Sequence, residues 1–184
     1  MHKQGWNMIE DSGRGWRKVV PSPRPLEIVQ MRAIRDALGP GRVVIAGGGG
    51  GIPVYRAEDG GLRGVEAVID KDYTACLLAS EIGADLLVIL TGVERVYLNY
   101  GRPDQKAIRR LDTAEARAHQ EAGQFPEGSM GPKIRSAIEF AERTGGGVLI
   151  TSADRLGDAL RGRAGTRIVA ARRGGERRGA GRRG

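Results

Sequence analysis

Three stretches of this chain, Val43-Val44-Ile45-Ala46, Leu86–Leu90 and Val148-Leu149-Ile150, are apolar at every position, with no alternation of polar residues. Strands of that kind are covered on both faces, which implies a mostly parallel sheet with helices above and below. Helical periodicity fills much of the sequence between them. Leu26–Leu38 carries Leu26, Val29, Ala33 and Ala37 near one face, and Asp72–Ile82 reads as a second helix. Thr113–Glu121 follows Asp112 as a plausible N-cap. The loop Gly128–Lys133 opens a long helix with Ile134, Ile138 and Ala141 on one face, and Ala153–Leu160 is a last helix. Trp16–Val20, Val65–Ile69, Val96–Leu98 and Thr166–Ala170 read as further strands, and Asn99–Lys106 as a polar loop. The expected fold class is α/β. In such sheets ligands sit at the carboxyl ends of strands, so the residues after Ala46, Ile69, Thr91 and Ile150 are where chemistry is sought.

Composition narrows the classes. A chain of 184 residues with 40% hydrophobic and 28% charged residues is long enough to bury a core without disulfide or metal staples. Its N-terminus has no hydrophobic signal-like run, no apolar run reaches the roughly 20 residues of a membrane helix, and Cys76 is the single cysteine; the chain reads as cytoplasmic. The net charge of +8 suggests nucleic acid until it is located: residues 171–184, ARRGGERRGAGRRG, hold +5 of it. Residues 1–170 are thus expected to form the folded unit and 171–184 a disordered Arg/Gly tail, either solvated or an arm for RNA. Only five cations are lysines: Lys3, Lys18, Lys71, Lys106 and Lys133. His2, His119 and Cys76 have no zinc spacing, and no GxSxG elbow occurs.

Two of those lysines stand at helix starts. Gly47, Gly48, Gly49, Gly50 and Gly51 follow the first apolar strand, and their N–H groups can converge on an anion; a flexible turn is the other reading. No Gly-Lys-Ser/Thr follows them, and Pro53 stands where a dinucleotide fingerprint would begin its helix. Asp70-Lys71-Asp72 opens a helix, with Asp72 either a cap or an organiser of ammonium groups. Ser129-Met130-Gly131-Pro132-Lys133 puts a second lysine in a first helical turn. A cation there makes sense where an anion also sits. Two lysines around a phosphoryl group would do chemistry that is mainly electrostatics and positioning. Thr91–Tyr100 either lines a flat pocket suited to a purine or is an ordinary strand–loop–strand.

The strings EDSGRGWRKVVPSPRP, VVIAGGGGGIPV, GLRGVEAVIDKD, LNYGRPDQ and GSMGPKI resemble the carbamate kinases, a family of the amino acid kinase superfamily, from about Trp6 to Ala170. RGWRKVVPSP, RGVEAVIDKD and GSMGPK look specific to carbamate kinases within it. The resemblance implies a three-layer α/β/α sandwich, usually a homodimer. It implies reversible transfer of a phosphoryl group, ATP plus carbamate giving ADP plus carbamoyl phosphate, in arginine catabolism. Mg²⁺ would be carried mainly by the nucleotide. By the same match Lys71, Asp72 and Lys133 would be catalytic, and Gly47 to Gly51 would border the phosphate. Thr91, Val93, Val96, Tyr97, Met130 and Gly131 would border the nucleotide.

The departures are expectations too. The family's opening strand, its first phosphate-holding loop and its carbamate-contacting loop have no counterpart here, so the resemblance covers a C-terminal part. Thr91-Gly92-Val93-Glu94-Arg95 replaces a turn that usually contains Asp, and the tail after Ala170 matches nothing in the family. The alternative is therefore an inactive fragment or interaction remnant. Losing a single preorganised contact can cost about 10²–10³ in rate.

Overall fold

A computed structural model describes residues 6–10 and 15–171. The chain opens with an antiparallel hairpin of β1 (Met8–Glu10) and β2 (Trp16–Lys18), followed by the short helix α1 (Met31–Ala37). A second hairpin pairs β3 (Val54–Arg56) with β4 (Leu62–Gly64). Then come helix α2 (Lys71–Glu81), strand β5 (Leu86–Leu90) and the hairpin of β6 (Val96–Leu98) and β7 (Lys106–Ile108). Strand β8 (Arg110–Asp112) leads into α3 (Thr113–Glu121) and α4 (Met130–Thr144). Strand β9 (Gly147–Thr151), a 3₁₀ turn (Ala153–Arg155), α5 (Leu156–Leu160) and β10 (Thr166–Val169) complete the chain.

The main sheet has the order β5-β9-β10-β8. β5 runs parallel to β9 and β10 parallel to β8, whereas β9 and β10 are antiparallel. The sheet is thus mixed, more so than the apolar runs predict, because the turn after α5 sends β10 back alongside β9. Alternate residues of β5 and β9 divide between two layers. Leu87, Ile89, Val148 and Ile150 join Ile134, Ala137, Ile138 and Phe140 of α4 and Cys76 of α2 in the principal core. Leu149 faces the other way, onto Ala159 and Ala164, with Leu86 and Val88 beside them. The architecture is α/β/α with one thin outer layer.

Local signals explain the well-formed elements. Asp112 accepts the Glu115 N–H at 2.9 Å while Glu115 accepts the Asp112 N–H at 2.9 Å, a reciprocal cap that starts α3 where the sequence places it. In α4 the buried Ile134, Ala137, Ile138 and Ala141 repeat at helical spacing, and Gly145 ends the helix.

Other expectations are corrected. Val43–Ala46 is not a strand: it has no ladder partner among the described residues, and Val43 and Ile45 are 93% and 95% exposed. Val65–Ile69 likewise joins no ladder among the described residues. A strand exists by pairing, and apolar composition alone does not supply a neighbour. The helix expected over Leu26–Leu38 shrinks to Met31–Ala37, because Leu26 and Val29 stay exposed and a short helix needs tertiary packing. β7 begins at Lys106, the last residue of the stretch read as a loop, and β8 lies beyond it, where no element is expected. Of the expected tail, residues 172–184 lie outside the described residues; Ala171 donates its N–H to Thr113 Oγ1 at 3.1 Å.

Candidate phosphoryl site at the sheet edge

Helices α2 and α4 both pack on the principal core, and each leads by a turn into its following strand, β5 and β9. Their N-termini therefore lie at the carboxyl edge of those two parallel strands. This brings Asp70, Lys71, Asp72 and Lys133 to one place from positions about sixty residues apart.

Lys133 Nζ donates to Asp72 Oδ2 at 2.9 Å, with side-chain exposures of only 11% and 8%. Such a pair is electrostatically expensive to bury and is held only with good geometry. Asp72 is thus the partner of Lys133. The helix cap is Asp70, whose Oδ1 accepts the Asp72 N–H at 2.7 Å, which corrects the reading of Asp72 as a cap. Lys71 is exposed, and no partner for its ammonium is found among the described residues. Asp72 therefore orients one ammonium group, not two.

The glycine run folds against the same helix start. Gly50 N–H donates to Gly47 O at 2.9 Å, closing a turn, and the buried Thr74 Oγ1 donates to Gly50 O at 2.7 Å. Gly50 has φ +134°, and a Cβ there would lie 1.9 Å from Ile69 O. Only glycine lets the loop approach the start of α2 so closely. Gly48, Gly49 and Gly51 are exposed and have open space at the Cβ position. Gly131 is likewise a point of close approach, since a Cβ would stand 3.1 Å from Pro126 O and 3.2 Å from Phe125 O. Met130, half-buried, packs against the principal core.

The turn after β5 is pinned from across the sheet. Thr91 N–H donates to Thr151 O at 2.9 Å. Arg95 donates to Arg163 O at 2.9 Å and Gly165 O at 3.2 Å, and pairs with Glu94. Thr91, Val93 and Tyr97 are half-buried, and the Tyr97 and Tyr100 ring centroids are 5.9 Å apart. Val96 differs: its side chain is fully buried in the core and its N–H donates to Thr166 Oγ1, so it supports the turn from beneath. Cys76 is core, and burial pushes its thiol up to about 11. The roles of Asp70, Thr74, Arg95 and Thr166 at the site are not part of the sequence expectations. Asp70 alone carried a signal, as an N-cap residue before a helix; the bonds of the others span 24 to 70 positions.

The model of the Amino acid kinase family matches residues 4–152. The chain is 50% identical over 169 residues to a carbamate kinase of Staphylococcus haemolyticus, covering 91% of this chain and 54% of that protein. It is 48% identical over 167 residues to a carbamate kinase of Thermococcus kodakarensis, covering 91% of this chain and 53% of that one. A solved structure of carbamate kinase from Giardia lamblia bound to AMP-PNP superposes with TM-score 0.84 at 46% identity, over 91% of this chain and 52% of that chain. The chain belongs to the amino acid kinase family. Within it, the similarity is to carbamate kinases, and the chain spans about half the length of the curated relatives it matches.

Proposed function

We propose that this chain is the nucleotide-side portion of a carbamate kinase, catalysing the reversible reaction of ATP and carbamate to ADP and carbamoyl phosphate. The observation that carries the reading is the buried Lys133–Asp72 pair beside Lys71 and the glycine turn, in a chain about half identical to carbamate kinases.

In this reading the transferring phosphoryl group lies between the ammonium groups of Lys71 and Lys133. Charge accumulates on its equatorial oxygens, and two fixed cations stabilise it without taking a proton. Asp72 holds Lys133 in place and is not a base. The glycine turn from Gly47 to Gly51 borders the phosphate, with the Gly50 N–H used to close the turn, and Thr91, Val93, Val96, Tyr97, Met130 and Gly131 border the nucleotide. Among the described residues no group of three or more His, Cys, Asp or Glu side chains is placed to hold a metal. In the same reading the Mg²⁺ of a nucleotide complex would be held mainly by the nucleotide's phosphates. No helix among the described residues is long and apolar enough to cross a membrane. A homodimer in the cytoplasm, working in arginine catabolism, belongs to the same reading.

A second reading is an inactive fragment or interaction remnant; the chain spans about half the length of the relatives it matches. Luminescent detection of ATP from ADP and carbamoyl phosphate separates the two. The first reading predicts ATP above the uncatalysed background and its loss in Lys71→Ala. Background-level ATP from a folded chain that binds ADP supports the second.

A further inference from the structure

The glycine turn is tied to α2 by a residue outside the lysine–carboxylate cluster. Thr74 is 6% exposed and lies one helical turn after Asp70. Its hydroxyl reaches Gly50 O at 2.7 Å, against 3.5 Å for the carbonyl of Asp70, its alternative acceptor one turn back. A hydroxyl has one hydrogen to donate, and the short contact takes it. Its methyl faces the other end of the turn, where a Cβ on Gly47 would stand 3.2 Å from Thr74 Cγ2. Thr74 thus spans the turn from Gly47 to Gly50, and Gly50 rests on Ile69 O from the other side.

From this geometry we propose that Thr74 is a positioning residue that makes the glycine turn and the first turn of α2 one rigid unit. By drawing the Gly50 carbonyl toward the helix, it keeps that electronegative oxygen from turning outward beside the exposed residues Gly48, Gly49 and Gly51, whose amides can then converge on an anion. Thr74 itself touches no ligand. The inference rests on the phosphoryl-site reading above for the identity of the anion, but the clamp stands without it.

The test pairs Thr74→Val, which keeps the shape and removes the hydroxyl, with Thr74→Ser, which keeps the hydroxyl and removes the methyl. Two quantities are read on the full chain by amide-resolved NMR: hydrogen exchange at Gly47 to Gly51, and shifts of those amides on titration with inorganic phosphate. The proposal predicts faster exchange at Gly50 and neighbouring amides in Thr74→Val, with unchanged exchange in α4. It predicts phosphate affinity lowered about three- to tenfold, the range for one lost buried hydrogen bond, and restored in Thr74→Ser. Unchanged loop exchange in Thr74→Val overturns the clamp. Faster exchange with unaltered phosphate affinity overturns its link to the anion site. Absence of phosphate shifts in the wild-type chain overturns the phosphoryl-site reading instead, and exchange alone then decides the clamp.

Discussion

Lys71 and Lys133 are alike in sequence, each in the first turn of a helix, and opposite in environment. Lys133 is buried against Asp72, whereas Lys71 projects into solvent. Removing the Lys133 ammonium leaves a carboxylate buried without its partner. Lys133→Ala is therefore expected to lower stability by about 3–5 kcal/mol, the range for breaking one side of a buried pair. Lys71→Ala should leave it unchanged, and urea denaturation followed by circular dichroism checks both. Replacing both members, as Asp72→Asn with Lys133→Met, should recover much of the loss, because no charge is then stranded. The sequence could place both lysines at helix starts, but it could not say which one Asp72 holds, since that depends on α2 and α4 lying side by side.

At the scale of elements, what was legible follows from how local the cause is. The start of α3 is fixed within four residues by Asp112 and Glu115, and its boundaries are those read from the sequence. Asp112→Ala should cost about 1 kcal/mol, measurable as a shift in the urea midpoint with unchanged slope. β5 and the core of β9 were legible because each is an apolar run that finds a parallel neighbour, namely the other. Val43–Ala46 has the same composition and joins no ladder, so composition marked it as a strand that the described residues do not pair. β7 and β8 are three residues each and bury one large apolar side chain apiece, Ile108 and Leu111, too short a pattern among Lys106, Arg110 and Asp112 to mark a strand. The site shows the same division. The glycine turn and the helix-start lysines could be read from local pattern, whereas Thr74, Arg95 and Thr166 act across sequence distance.

Across the whole molecule, burial is uneven. The core is drawn from α2 onward, apart from the isolated Met31, while Leu26, Val43, Ile45, Ile52 and Val68 stay exposed. Apolar residues left in water at this density favour association with other apolar surface. The chain is expected to self-associate as concentration rises, and the double variant Val43→Lys/Ile45→Lys should shift sedimentation profiles toward monomer at no cost in thermal stability, since neither side chain is packed. Concentration-independent monomers in both proteins would show that this surface is tolerated.

The central claim is that the edge where α2 and α4 begin holds the phosphates of a nucleotide. Calorimetric titration of the purified chain with ADP, alongside Lys71→Ala, tests it most directly, because Lys71 is exposed and its loss leaves the fold intact. Saturable binding by the wild-type chain and clearly weaker binding by Lys71→Ala are expected. A folded, monodisperse wild-type chain that takes up no ADP, or a Lys71→Ala variant that binds it equally well, would mean that this edge does not hold the nucleotide's phosphates.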